Sequence, residues 1–503
     1  MKFLQTILAS VLILTLALPV SATTTYTYTP TTIQSQSNWY SPEWKYRIKV
    51  TVNHEQVGEE VTDFPMLVKI TNNQKLFKNA KQDGHDLLFT SSDGITKLDH
   101  EIEQYDKEAQ HLVAWVKVPK LSVTEDTELY AYYGNSNAED QQRASAVWGS
   151  EYDAVYHFNT DPATTIFDSE KDARNGENGG SMNINDSFQD AKVGKGYKFD
   201  GADDVVDLGD QSFVAYGPND FEWSMWIKDQ GPTTNQSVII GKDHSTAASY
   251  RQFALQLHTG ALGFHDPGKI QIAPFETDGK LITFRTTTAL VELNKWYYIV
   301  LNRKNGVMSM SVNGKDQLME TAGFGGGTQA LSIRDTPAHL QIGGREYVSA
   351  RSLFKGIIDD VRFSKNAHNG GWIRTEYNNQ SDPESFYTLS VEQTQTSTAS
   401  NNTLTTPVYV YTTLSSFKEQ ATKNTGTILY QLSPDNGKTW YYRKNNHDWT
   451  KTTSKTTGNP AWAINTGIAH LPKGTGQLKI RAYLKPKNAK PVSLEQLTIG
   501  YTK

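Results

Sequence analysis

The feature that most constrains this chain is a side-chain period of two that recurs along most of its length. In Trp44-Lys45-Tyr46-Arg47-Ile48-Lys49-Val50-Thr51-Val52 apolar and polar residues alternate, the pattern of a half-buried strand and not of a helix. Met308, Met310 and Val312 repeat it and end at Asn313-Gly314, a dipeptide that favours a tight hairpin. Leu478-Lys479-Ile480-Arg481-Ala482-Tyr483-Leu484 repeats it again. Long helical patterns are missing, and only Trp372 to Asn378 reads as a short helix. No short-period repeat points to a solenoid. The expected fold class is all-β.

A chain of 503 residues is too long for one core and implies several domains. Its N-terminus has Lys2, an apolar run from Phe3 to Leu18 and the small residues Val20 and Ala22, which reads as a signal peptide over 1–22, cleaved after Ala22. The expected product is secreted or held at the cell surface, with no membrane insertion once the signal is removed. Such a chain without a single Cys has no disulfides and no thiolate site, so its stability must come from β cores. A formal net charge of −5 gives no electrostatic case for nucleic acid. Residues 23–38 and 393–406, rich in Thr, Ser, Asn and Gln, read as a spacer and a linker. With a change of character near Trp148 they delimit three parts, 39–147, 148–392 and 407–503.

The first part contains Trp44-Lys45-Tyr46-Arg47, Asp83-Gly84-His85-Asp86-Leu87-Leu88-Phe89-Thr90, His100-Glu101-Ile102-Glu103, Ala114-Trp115-Val116-Lys117-Val118-Pro119 and Tyr130-Ala131-Tyr132-Tyr133-Gly134-Asn135. These runs resemble a family of unknown function, numbered 2341 among such domains, found in exported prokaryotic proteins ahead of laminin-G-like domains. Trp115 and Tyr133 are the large residues a small β-sandwich needs. Glu101 and Glu103 share one strand face, where a general acid and base is one reading and a solvated face the other.

In the second part Val155-Tyr156-His157-Phe158, Lys198-Phe199-Asp200-Gly201-Ala202-Asp203-Asp204, Phe221-Glu222-Trp223-Ser224-Met225-Trp226-Ile227 and Gly356-Ile357-Ile358-Asp359-Asp360-Val361 follow in order. This segment resembles the concanavalin A-like or laminin-G-like jelly roll, which implies two stacked antiparallel sheets. The fold hosts lectins, protein-binding domains and some glycosidases, so function rests on sites. The Glu-x-Asp-x-Glu arrangement of its laminarinase-like enzymes is absent, and no catalytic residue is assigned. If Phe221 to Ile227 is a strand, Phe221, Trp223, Met225 and Ile227 face the core and Trp226 faces out. Trp226 is then a candidate ligand platform, unless a neighbouring element covers it. The resemblance also implies a structural calcium, with Asp200, Asp203 and Asp359 as candidate ligands; the other reading is that these carboxylates satisfy turn amides.

The third part reads as a small β-sandwich, with Ser433-Pro434-Asp435-Asn436-Gly437-Lys438-Thr439-Trp440 matching the Asp-box hairpin of sialidase propellers. One box in so short a segment cannot close a propeller. The expected function is non-catalytic binding of a polysaccharide or cell-surface polymer through the middle domain. The alternatives are an extracellular polysaccharide hydrolase with an unrecognised site and a structural envelope component.

Overall fold

The computed structural model describes residues 24–29, 39–231, 236–244, 250–258, 267–321, 332–346, 352–395, 403–424, 426–445, 448–454, 457–485 and 492–503. The expected signal peptide and its cleavage site lie outside the described residues. The chain forms two compact units, one of them Tyr40–Gln395 and the other joining the N-terminal residues to the segment from Thr396 to Lys503.

Within Tyr40–Gln395 the expected small sandwich is built from two sheets. One places Tyr46–Val52 between Thr127–Tyr133 and Tyr387–Leu389, and the other orders Val61–Thr71, His111–Leu121 and His100–Asp106. The alternating residues Ile48, Val50 and Val52 enter the core between them with Phe64, Val116 and Tyr133. The strand Tyr387–Leu389 and the short strand Gln393–Thr394 both pair with Tyr46–Val52. Residues expected to end the middle domain and begin a linker therefore complete the first domain's sheet. A polar segment can do this because backbone pairing at a sheet edge needs no apolar side chains.

The middle domain stacks two eight-stranded antiparallel sheets over one large core. Phe221, Trp223, Met225 and Ile227 enter that core as their period requires. Helix Gly370–Ser381 spans the stretch expected to be helical and is capped by Asn369, whose side chain accepts from the Trp372 backbone N–H at 3.2 Å. It packs Trp372 into the first domain's core. From the same helix, the Asn379 amide bonds both the N–H (2.7 Å) and the carbonyl (3.0 Å) of Leu67. A second apolar cluster, including Leu67, Trp115, Trp148, Trp226, Tyr298 and Ile373, fills the space where the first domain, the helix and the outer face of one middle-domain sheet meet.

The other unit is the small C-terminal sandwich. Its Asp-box closes the turn between Thr427–Ser433 and Trp440–Lys444. Asp435 accepts from the Thr439 N–H at 2.8 Å, and Asn436 and Gly437 take positive φ. Thr24–Tyr28, expected to be flexible spacer, is an edge strand here, pairing with Ser493–Thr502 and stacking Tyr26 on Tyr501 at 4.0 Å. Alternating Thr and Tyr are good strand formers, a signal the polar composition obscured.

Candidate functional site

Two acidic groups organise the chemistry of the Tyr40–Gln395 unit. The first lies on the turn after Lys195–Asp200, where Gly201 takes φ 75. Carboxylate oxygens of Asp200, Asp203 and Asp204 lie within 4.8 Å of one another. Asp200 accepts from the Ala202 N–H at 2.6 Å, Asp204 accepts from the Asp200 N–H at 3.0 Å, and the Ser181 hydroxyl donates to Asp203 at 2.7 Å. These bonds aim the carboxylates to one side of the turn while Asp200 and Asp203 stay exposed. Burial raises the pKa of Asp204, with the Asp200 and Asp203 charges adding to it. Three hard oxygen donors held this close fit a hard cation.

Asp359 is not part of this group, contrary to expectation. On its strand, Lys355 is the residue that pairs with Asp200, and Asp359 lies four positions further along. It is fully buried and accepts from the Val193 N–H at 2.7 Å.

Asp359 belongs instead to the second group, a buried network where the first domain meets the middle one. From the first domain, Glu101 and Glu103 project across a β-bulge in His100–Asp106. Both are buried, which corrects the expectation of a solvated face. Glu101 accepts from Trp148 Nε1 at 2.7 Å and from the Ser169 hydroxyl at 2.6 Å, and Glu103 accepts from Trp115 Nε1 at 2.8 Å. The middle domain contributes His157, whose Nδ1 is 3.0 Å from Asp360 and whose Nε2 is 3.4 Å from Glu101, the latter an ion contact without hydrogen-bond geometry. Arg362 donates to Asp360 at 2.5 Å and to Glu376 of the helix at 3.3 Å, and its guanidinium lies 4.3 Å from the Trp115 ring centre.

Burial above all, with the Asp360 and Glu101 charges, pushes Glu103 up to about 8 against the pull of His157. Burial likewise raises Asp359, aided by Glu103 and Asp360, and takes Glu376 to about 7 against Arg362. The other members resist burial. His157 holds Glu101 low, Arg362 and His157 hold Asp360 low, and Glu101 and Asp360 keep His157 well above the usual imidazole range. Two cations thus face two ionised carboxylates, while burial favours the protonated forms of Glu103 and Asp359. Every member is buried, so the network meets no substrate and its role is cohesion.

Trp226 shares this fate. It points away from the core as expected, but the residues beyond it cover it. It is 1% exposed, donates from Nε1 to Gln380 at 2.6 Å and lies 5.1 Å from Tyr298. It is not an open stacking platform.

The middle domain's other sheet carries a cross-strand row of Val238, Gln256, Gln271, Arg285 and Glu320 on the side away from the core. His258 Nε2 is 2.8 Å from the Gln271 amide oxygen. Arg285 donates to Glu320 at 2.7 Å, Arg345 donates to Asp243 at 2.8 Å, and Asp207 is 3.1 Å from His339.

Residues 83–172 match a domain of unknown function, DUF2341, and residues 200–374 match the concanavalin A-like lectin/glucanases superfamily. The middle domain is a concanavalin A-like jelly roll. The first match runs beyond Val147 and includes Glu101, Glu103, Trp115, Trp148 and His157. No curated protein matches the chain. Similar solved structures include the binding domain of Paraclostridial Mosquitocidal Protein 1, at 12% identity over 45% of this chain and 52% of that one, with a TM-score of 0.35. Domain 4 of AbnA, an extracellular arabinanase from Geobacillus stearothermophilus solved with arabinotriose, has 18% identity over 45% of this chain and 98% of that one, with a TM-score of 0.34. The chain thus spans about half of the first and nearly all of the second. At these scores neither likeness carries an argument about function.

The Asp200 turn was legible from its motif, although Asp204, the buried third member, was not singled out. The surroundings of Glu101 and Glu103 were not legible, because His157, Ser169 and Asp360 lie between roughly 50 and 260 positions away in the sequence. Pairing at that separation is decided by docking.

Proposed function

We propose that this protein is a secreted or cell-surface binding protein whose jelly roll recognises a polysaccharide or another surface polymer without turnover, with calcium bound at Asp200, Asp203 and Asp204. The observation that carries this reading is the match of residues 200–374 to the concanavalin A-like lectin/glucanases superfamily. On the outer sheet Gln256, Gln271 and His258 are buried, and the cross-strand row opens to water at Arg285 and Glu320, which offer a donor and an acceptor to sugar hydroxyls. Of the carboxylates on this sheet's strands, Asp207, Asp243 and Glu320 are each held by a cationic or imidazole group. A glycosidase needs two carboxyl groups free to act across one bond. Calcium suits the hard oxygen donors of the acidic turn and would order it; no step depends on it.

The hydrolase reading has one specific observation in its favour, the cross-strand placement of exposed Glu177 beside Asp207 at the sheet edge. A glycan array and polymer pull-down on the whole secreted chain, run beside a reducing-sugar release assay, separates the two. Binding on the order of micromolar to millimolar, weakened at least tenfold by Arg285→Ala with Glu320→Ala, is the expected result. Release of sugar at an enzymatic rate that disappears in Glu177→Gln would establish the hydrolase instead. Silence in both assays would favour the envelope role.

A further inference from the structure

A cleft of about 380 Å³ opens between the first domain and the jelly roll at the N-terminal end of helix Gly370–Ser381. It lies away from the outer sheet face discussed above, and neither domain alone encloses it. Glu59 and Thr62 line it from the first domain, and Asp220, Lys304 and His368 from the jelly roll. The walls are tied together: the Thr375 hydroxyl accepts from the Gly58 N–H at 2.8 Å, and the Asn378 amide donates to the Gln56 carbonyl at 2.8 Å.

The cleft holds a donor that the fold leaves unused. The Trp372 ring lines the cleft and is 7% exposed, while its indole Nε1 is sealed from solvent and reports on the ring's surroundings without meeting a ligand. His368 stacks on Trp372 with ring centres 4.2 Å apart and bonds Glu222 through Nδ1 at 2.8 Å, which leaves Nε2 for another partner. Although burial opposes it, Glu222 raises the His368 pKa, which favours an Nε2–H donor. Acceptors are supplied by the Glu59, Glu151 and Asp220 carboxylates.

We propose that this cleft binds one or two residues of a neutral saccharide, and so gives the first domain a direct part in recognition. The lining selects the class. An anionic ligand would meet three carboxylates, and a cationic one would meet Lys304, Lys365 and the His368 imidazole. A neutral sugar avoids both repulsions, because each hydroxyl donates to a carboxylate while accepting from an N–H. The volume is at the small end of ligand sites, the right scale for a mono- or disaccharide.

The test titrates the whole secreted chain with cellobiose, lactose, xylobiose and diacetylchitobiose, and with glucuronate and glucosamine as charged probes. Indole N–H resonances provide the readout. At least one neutral disaccharide should shift the resonance that is missing from Trp372→Phe. The surface double variant Glu59→Gln with Asp220→Asn should weaken that response tenfold or more without changing the melting temperature, and Arg285→Ala with Glu320→Ala should leave it intact. A neutral sugar that binds without moving the Trp372 signal, and is lost with Arg285 and Glu320, would overturn the cleft while sparing the outer sheet. A Trp372 response to glucuronate or glucosamine alone would overturn the ligand class. No response to any probe would overturn the cleft, leaving the polymer pull-down to judge the jelly roll's outer face.

Discussion

The two acidic groups of the Tyr40–Gln395 unit have similar residues and opposite surroundings. Asp200 and Asp203 stand open to water on a turn with Asp204 buried behind them, their charges partly met by backbone N–H groups. Glu101, Glu103, Asp359 and Asp360 are sealed between two domains with His157 and Arg362. Water screens the first group and leaves it available to an ion from solution. The second is shielded from water, so its members can persist only by pairing or by keeping their protons. The same side chain is open to an ion from solution in one place and a docking element in the other, and burial decides which.

The largest expected effect breaks the buried side of this comparison. Arg362→Met removes the cation shared by Asp360 and Glu376 and leaves two buried carboxyl groups without it. A loss of about 3–5 kcal/mol is expected, measured by denaturant unfolding of the whole chain. A loss under 1 kcal/mol would mean that water reaches the network.

The next effect is a pH dependence with two signs. Glu103, near 8, and Glu376, near 7, titrate above the ordinary value of 4.5. Their contribution is complete below pH 4.5 and is lost as pH rises through 7 to 8. Glu101 and Asp360 are held below their ordinary values, so their contribution is present above those values and is lost as pH falls through the lowered ones. Glu103→Gln should therefore flatten the alkaline side of a stability profile and leave the acid side in place. Parallel profiles for the variant and the natural chain would contradict the protonated state assigned to Glu103.

Calcium sharpens the open side. At a hundredfold excess over the dissociation constant it should stabilise the unit by about 2.7 kcal/mol, and a chelator should reverse the gain. Asp203→Asn and Asp204→Asn should each abolish the response, whereas Asp359→Asn should keep it, because Asp359 sits in the other group. A response lost with Asp359 and kept without Asp203 would reverse the assignment. The smallest effect is expected for Asp200→Asn in calcium-free buffer, a change within about 0.5 kcal/mol by thermal melting, as for other exposed turn residues.

How far each region could be read from sequence follows from the range of its contacts. The acidic turn is local: Asp200 to Asp204 with Gly201 meet within five residues, so the motif announces them. In Phe221–Asp229 the period sorted the side chains correctly into two sets, with Trp223 in the core and Trp226 on the other side. It could not tell that helix Gly370–Ser381 and the first domain would cover the second set. Thr24–Tyr28 was misread for a related reason, since a strand held by pairing with Ser493–Thr502 looks locally like a polar spacer.

By itself, the sequence determined the all-β class, because a period of two with turn residues at its ends is a local property that hydrophobic burial turns into sheets, while the order of the domains and the jelly roll were legible only through runs that resemble known families. Tertiary structure alone decided that the first domain and the jelly roll form one unit, that Trp226 and Glu101 are dry, and that Trp372 and His368 meet Glu59 across a cleft. A strand has two faces, and its alternation shows which residues share a face. What lies against that face depends on segments hundreds of residues away, whose arrival is settled by the packing of whole domains.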